Sequence, residues 1–215
     1  MGKFTQAELD EVNKTLTSAE DCLEWAFDNL HPKLAKASSF GAEDAAIIAN
    51  HYEAHDSEDT ATQVLRLLHE LKGPTFGYQI DRFRHSLQCA TRALRNGEPD
   101  EMVVAALLHD VGEPIAPWNH SAVAAEILKP YVDARTYWIV RHHGLFQGYY
   151  YFHLEGRDRN ARDIYGDHEW FDDCVTFCRE YDQNCFEPDY DELPVEEFEP
   201  LVTEFFANES KTPGS

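Results

Sequence analysis

The chain has 215 residues, enough for one domain with a short appendage, since domains usually hold ~100–200 residues. With 43% hydrophobic and 13% aromatic residues it can build a sizeable core, which excludes disorder for most of its length. The formal net charge of −22 argues against nucleic acid or an anionic membrane as a partner, because both bind through clustered Lys and Arg.

The hydrophobic pattern is helical almost throughout, without a convincing alternating strand, and therefore predicts an all-α fold. The first helices are expected within 5–30, at 42–54 and at 57–72, where Gly73 and Pro74 end the last of them. Further helices are expected at 79–96, 100–111, 118–129, 133–143, 158–165, 169–182 and 194–207. Glycines follow three of these at positions typical of C-terminal caps: Gly97, Gly112 and Gly144.

We divide the chain into a helical N-terminal extension, 1–74, a domain that carries the chemistry, 75–207, and a disordered tail, 208–215. Residues 187–199 are rich in acids without a base and predict a solvated loop. The densest apolar run, 102–108, is far shorter than the ~20 residues of a membrane span. The N-terminus has no hydrophobic signal segment, and the five Cys form no CxxC pair, so we expect a cytoplasmic protein.

The string EMVVAALLHDVGE, residues 101–113, predicts a helix that is apolar on all sides and therefore buried. His109 and Asp110 stand together at its end, where burial is costly unless both side chains find partners. One solution is a metal ion bound by imidazole and carboxylate. The other is a hydrogen-bonded His–Asp pair at the end of the helix.

More potential ligands lie on the neighbouring predicted helices: His85 upstream, and His120, His142, His143 and Asp182 downstream. Asp182 continues an inward apolar stripe, whereas periodicity places His85 nearly opposite the stripe of its own helix, which ends at Leu94. Periodicity does not decide between His142 and His143.

This series, a His, a His-Asp pair, two further His and a distant Asp, resembles the HD-domain superfamily over roughly 80–185. The resemblance implies an HD-domain helical bundle with a dinuclear metal site, preceded here by the helical extension. It also favours His143 over His142, because Gly144 resembles the small residue after the last ligand His in myo-inositol oxygenase. The implied ligands are His85, His109, Asp110, His120, His143 and Asp182, with His109 and Asp110 as the catalytic pair.

Within the superfamily the ligand pattern resembles the oxygenases with two irons, namely myo-inositol oxygenase and 2-amino-1-hydroxyethylphosphonate dioxygenase. The stretch HSLQCA, residues 85–90, is also similar to the phosphonate-cleaving enzymes. This implies a mixed-valent Fe(II)/Fe(III) pair that uses O₂ to cleave a C–C or C–P bond of a small hydroxylated substrate. The run 77–206 also resembles bacterial proteins known as predicted HD phosphohydrolases. The alternative is therefore hydrolysis of a small phosphate ester or nucleotide with Mn, Mg or another divalent metal, and a non-enzymatic binding module is a third possibility.

Four residues are candidates for substrate binding. Arg179 resembles the arginine that grips the phosphonate in the related enzymes, although it can equally pair with a nearby acid. Glu113 stands where the relatives have Lys or His. A glutamate at this position would suit a substrate hydroxyl or ammonium group better than an anion. Tyr78 precedes the first His at a different spacing from the relatives, and Gln147 lies in an aromatic-rich stretch that forms core or pocket wall. The sequence does not indicate an oligomeric state.

Overall fold

The computed structural model describes residues 41–207, the side chains of 42–44 and 49–59 excepted, and every regular element in this range is helical. The α-helices are α1 (Ala42–Glu70), α2 (Arg82–Arg95), α3 (Asp100–Leu108), α4 (His120–Leu128), α5 (Ala134–Tyr151), α6 (Phe171–Phe177) and α7 (Val195–Ala207). Two 3₁₀ helices, Phe152–Glu155 and Ala161–Tyr165, follow α5, and a π-helical turn, Cys178–Asp182, continues α6. The predicted all-α class is confirmed. Among the described helices, none has both the length and the apolar character of a membrane span.

The chain divides into two compact units, residues 1–56 and 57–215. Val64, Leu68 and Leu71, which the sequence analysis places in the N-terminal extension, are buried in the core of the second unit. The helices predicted within 5–30 and the tail 208–215 lie outside the described residues.

Helix α3 forms the centre of the second unit. All of its residues from Met102 to Leu108 are buried, as expected for a helix that is apolar on every side. It packs against α2, α5 and α7. The C-terminal end of α3 therefore lies inside the core, and His109 and Asp110, which follow it directly, are buried there.

Two predicted helix boundaries are wrong. Residues 42–70 form one helix instead of two, since no Pro or Gly interrupts them. Helix α5 does not end before Gly144 but continues to Tyr151. Gly144 is therefore an interior residue whose missing side chain has a packing reason, described below.

The acidic segment before α7 is not a free solvated loop, which corrects the sequence-based interpretation. Gln88 on α2 donates to the carbonyl oxygen of Glu187 at 2.7 Å and accepts from its N–H at 3.1 Å. The Leu193 N–H donates to Thr91 Oγ1 at 3.0 Å. This segment, 183–194, covers the face of α2 that periodicity leaves to solvent, so His85 is fully buried while Leu94 on the predicted inward stripe is 43% exposed.

Candidate metal centre

The structure brings six side chains together: His85 from α2, His109 and Asp110 from the turn after α3, His120 from the start of α4, His143 from the middle of α5, and Asp182 from the π-helical turn. All except His120 are buried. Together with Cys89 they form three overlapping groups, each with atoms within 4.8 Å, that could hold a metal ion.

Asp110 lies between two pairs of histidines and offers one carboxylate oxygen to each. Its Oδ2 is 3.6 Å from His85 Nε2 and 3.5 Å from His109 Nε2. Its Oδ1 is 3.4 Å from the Nε2 atoms of both His120 and His143. Asp182 joins the first pair, with Oδ1 3.4 Å from His85 Nε2. Ligands bound at about 2.0–2.2 Å to a shared ion lie at such separations, so the arrangement suits two ions bridged by one carboxylate.

The four imidazoles are oriented alike by hydrogen bonds to backbone carbonyl oxygens. The Nδ1 atoms of His85, His109, His120 and His143 lie 2.9, 2.8, 3.0 and 2.7 Å from the carbonyls of Cys185, Ala106, Pro117 and Val140. A carbonyl oxygen only accepts, so each Nδ1 carries a proton, and in the neutral ring Nε2 presents its lone pair to the cluster. This is the usual arrangement of metal-binding histidines.

The first histidine pair shows most directly that the cluster suits a cation. His85 Nε2 and His109 Nε2 are 3.3 Å apart. With both Nδ1 atoms donating to carbonyls, two lone pairs face each other unless a proton or metal ion lies between them. The residues present therefore fit a bound metal.

His143 and its neighbour His142 occupy different environments. His143 is buried with Nε2 toward Asp110. His142 is only half-buried, bonds the Trp138 carbonyl through Nδ1 and packs its ring against Trp138 and Tyr165. Of the two alternatives, the structure places His143 in the cluster.

Two glycines allow the start of α4 to approach the cluster. A Cβ at Gly112 would lie 2.5 Å from the carbonyl oxygen of His120, and a Cβ at Gly144 would lie 2.7 Å from Ser121 Oγ. A contact this short with backbone forces the backbone to shift, whereas the Ser121 hydroxyl is the end of a side chain and can move aside. The third glycine, Gly97, follows α2 with a left-handed φ of +75° and thus occupies the predicted cap position.

Burial and neighbouring charges shift the pKa values of several cluster side chains in opposite directions. Burial lowers the pKa of His109 to about 4, which keeps the imidazole neutral. Burial also disfavours the charged form of His85, yet the adjacent Asp182 carboxylate outweighs it and raises the pKa of His85. For Asp110, burial is outweighed by the imidazoles around it, chiefly His109, and by the Arg82 guanidinium, so its pKa falls well below the usual range. The carboxylates are therefore ionised, as metal ligands must be.

Arg82, which sequence reasoning missed, contacts the cluster. Its Nη1 is 3.5 Å from Asp110 Oδ2, and its Nε is 3.2 Å from Glu113 Oε2. Glu113 thus faces inward, and burial and the Asp110 charge raise its pKa. The signal for Arg82 was its position three residues before His85, on the same side of α2.

Arg179 does not reach the cluster. Its side chain is 57% exposed and forms an ion pair with Glu180 at 2.6 Å. The prediction assumed an α-helix, in which residues three apart share a face with Asp182. Residues 178–182 instead form a wider π-helical turn, which rotates Arg179 away toward solvent.

A small cavity of about 60 Å³, the inner cavity, opens onto the cluster. Its walls include the two other predicted substrate residues, Tyr78 and Gln147, together with Arg82, Tyr151 and Phe186. Gln147 donates to Gln183 at 2.9 Å, and its own amide oxygen is buried without a hydrogen-bond partner. That oxygen can accept a hydrogen bond from a ligand.

Aromatic rings close one side of the cluster. Tyr78 stacks on Phe186 at 4.4 Å between ring centroids, and Phe186 stacks on His85 at 4.2 Å. Asp81 does not face the cluster but caps α2 by accepting from the Arg84 N–H at 2.9 Å. Cys89, not predicted as a ligand, places Sγ 3.6 Å from His85 Nε2 and completes a third potential ligand group with His109.

Residues 82–167 match the family model of the HD domain. This part of the chain is therefore similar to the HD domain. The match includes every candidate ligand except Asp182, which lies beyond its end in the π-helical turn. The matched segment accordingly contains the four histidines and Asp110, and the chain that follows it contains the last carboxylate.

The chain is also similar to a curated protein of Leisingera caerulea named [1-hydroxy-2-(trimethylamino)ethyl]phosphonate dioxygenase (glycine-betaine-forming). The identity is 32% over 78 residues, which is 31% of this chain and 40% of the relative. The similarity therefore spans less than half of that protein.

Proposed function

We propose that this HD domain binds two iron ions and acts as an oxygenase, using O₂ to cleave a C–C or C–P bond of a small hydroxylated substrate. The observation that carries the proposal is the Asp110 carboxylate, whose two oxygens face two separate histidine pairs at 3.4–3.6 Å. The partial similarity to a protein named as a phosphonate dioxygenase supports the oxygenase over other HD chemistry.

In this proposal the six side chains would hold the metals, each Asp110 oxygen would face one of them, and His109 and Asp110 would be the catalytic pair. A mixed-valent Fe(II)/Fe(III) pair supplies Lewis acidity and redox capacity toward O₂ when it is bound. Six protein ligands would leave positions on two such ions open to a substrate hydroxyl and to O₂.

The other walls of the inner cavity bind and orient the substrate. Arg82 is the cation beside the cluster and would bind an anionic substituent next to the reacting carbon. Glu113 balances the Arg82 charge, which removes the objection that this glutamate would repel an anion. The Gln147 amide oxygen would accept from a substrate hydroxyl, and Tyr78 and Phe186 would exclude water from the His85 side. We therefore propose a hydroxylated phosphonate or a similar hydroxy anion as substrate.

A metal-dependent phosphohydrolase is the second candidate. Arg82 favours it as well, because a guanidinium beside a metal pair suits a phosphate ester as much as a phosphonate. In that case Mn, Mg or another divalent ion would occupy the same ligands.

Metal content and EPR spectra distinguish the two candidates. Protein expressed with added iron should contain about two irons per chain and give a coupled mixed-valent signal after partial reduction. The variant Asp110→Asn should lose that signal, whereas Asp173→Asn, which alters a surface carboxylate paired with Arg135, should keep it. Predominant Mn, Mg, Ni or Zn without a coupled iron signal, together with release of phosphate from esters, would instead establish the phosphohydrolase.

A further inference from the structure

A second cavity, the outer cleft, lies beside the inner cavity and shares Arg82 with it. Its volume is about 270 Å³, against about 60 Å³ for the inner cavity. Small-molecule sites usually measure about 300–1,000 Å³. The inner cavity alone therefore holds only the reacting end of a substrate, and the remainder would extend past Arg82. The outer cleft is lined by Glu70, Leu71, Lys72, Pro74, Phe76, Arg82, Glu113, Pro114 and Pro117.

The side chains available to a ligand in the outer cleft are mainly apolar. Five of the nine lining residues are Leu, Phe or Pro. Lys72 places its ammonium over the Phe83 ring at 4.2 Å, and Glu70 lies 3.9 Å from Arg66. Both of these rim charges therefore have a partner outside the lining. The charges of Arg82 and Glu113 offset each other where the two cavities meet.

Phe76 is held at the outer cleft in an unfavourable backbone conformation. Its φ of +51° lies in the left-handed region, and it is the only residue other than Gly with a positive φ in the described part of the chain. Its ring is 76% exposed although it lines the cleft. Such strain is concentrated at functional sites, and an exposed aromatic ring offers apolar surface to a ligand.

We propose that the outer cleft binds an uncharged alkyl or aryl group at the far end of the substrate, while the hydroxyl and anionic end occupies the inner cavity. The inference rests on the proposed function and narrows its substrate class to hydroxy anions with an apolar substituent. Arg82 lies at the junction and binds the anionic group, so the apolar substituent points into the cleft.

The test measures the affinity of the iron-loaded full chain for 1-hydroxyalkylphosphonates whose alkyl group grows from methyl to pentyl. Calorimetry without O₂ prevents turnover and reports binding alone. The dissociation constant should fall about fourfold for each methylene group that enters the cleft, the factor expected for about 0.8 kcal/mol per buried methylene.

Two variants locate the effect. Phe76→Asn removes the apolar ring but retains a residue that tolerates the left-handed region, so the loop should keep its conformation. It should flatten the dependence on chain length and leave the affinity for the methyl compound unchanged. Trp118→Ala removes a fully exposed ring that does not line the cleft, and it should leave the dependence intact.

The outcomes separate the two proposals. Affinity that is independent of chain length, with the methyl compound still bound, overturns the outer-cleft site and leaves the proposed function standing. Failure of every member to bind iron-loaded protein overturns the outer-cleft site and the hydroxyphosphonate substrate, and iron content with the EPR signal then decides the oxygenase separately. Tighter binding of a probe with a terminal ammonium group than of the alkyl compound of equal length overturns the uncharged substituent.

Discussion

The Nδ1 atom of His85 lies 2.9 Å from the carbonyl oxygen of Cys185, which stands one hundred positions later in the chain. Because Nδ1 must donate to this carbonyl, the bond fixes the tautomer of His85 and turns Nε2 toward the cluster. Phe186, the next residue, stacks on the same imidazole. The orientation of the first candidate ligand thus depends on segment 183–194, most of which belongs to the stretch 187–199 that the sequence alone assigns to solvent.

Gln88 holds this segment against α2 through hydrogen bonds to both backbone groups of Glu187. Gln88→Ala leaves the N–H and the carbonyl oxygen of Glu187 without these hydrogen bonds at a partly buried position. The substitution should lower the free energy of unfolding by about 1–3 kcal/mol. The iron content should fall as well, since His85 loses its support. Urea denaturation and elemental analysis measure the two effects.

Arg95→Ala is the matched control for Gln88. Arg95 also contacts segment 183–194, but its ion pair with Asp191 is exposed, so its loss should cost about 0–1 kcal/mol and leave the iron in place. Equal loss of iron from the two variants would show that the segment does not support His85 through Gln88.

The glycines beside His120 should differ in their tolerance of alanine. In Gly112→Ala the new Cβ meets the backbone of His120, which cannot move without shifting α4. The substitution should lower the free energy of unfolding by about 1–3 kcal/mol and weaken binding of the metal that His120 and His143 would hold. Gly144→Ala meets only the hydroxyl of Ser121 and should be milder. Thermal denaturation and metal content check this order.

The double variant Gly144→Ala/Ser121→Ala removes the atom that a new Cβ at position 144 would meet. It should recover the stability and metal content of the original protein. A double variant as impaired as Gly144→Ala would mean that Gly144 is required for another reason.

Arg82 and Arg179 allow a direct comparison of the structure with the sequence-based prediction. Arg82→Met should weaken binding of a hydroxyalkylphosphonate about 10- to 100-fold, because hydrogen bonds to charged groups contribute about 1.5–3 kcal/mol. Arg179→Met should leave binding unchanged, since its guanidinium faces solvent. Calorimetry on both proteins, with iron content determined first, makes the measurement, and the opposite order would reinstate Arg179 as the substrate residue.

Asp133 caps α5, the helix that carries His143, by accepting from the Thr136 N–H at 2.7 Å. Burial disfavours its charge, but the hydrogen bonds from Thr136 outweigh burial and lower the pKa of Asp133. Because the pKa is lower in the folded than in the unfolded protein, the Asp133 charge stabilises the fold at pH values above 3.8, the ordinary aspartate pKa. This stabilisation is lost as the pH falls below 3.8. Asp133→Ala should cost about 0.5–2 kcal/mol at pH 7.

Asp133→Asn keeps a capping oxygen without the charge and should be less damaging than Asp133→Ala. The difference in free energy of unfolding between Asp133→Asn and the original protein should disappear as the pH falls below the ordinary aspartate range. Urea denaturation at a series of acidic pH values measures this difference. A difference that grows on acidification would contradict the lowered pKa.

Much of the candidate site is visible in the sequence because ligand types stand at recognisable spacings. His109 and Asp110 follow a helix that is apolar on every side, which predicts their burial from the sequence alone. Arg179 was misplaced for a local reason, since a π-helical turn has no signal in the apolar pattern. Arg82 was missed because an arginine near a ligand is ordinary in sequence and acquires meaning only beside Asp110 and Glu113.

The amino-acid sequence was sufficient to predict that this protein is helical, that α3 lies in its core and that a set of His and Asp residues resembles the HD pattern. Periodicity records which face of a helix is apolar, and that is a local property. The three-dimensional arrangement was needed to show that His85 is buried, that His143 rather than His142 turns inward, and that Asp110 faces two histidine pairs. These depend on what covers the other faces and on hydrogen bonds between residues distant in the chain, such as that of His85 with Cys185.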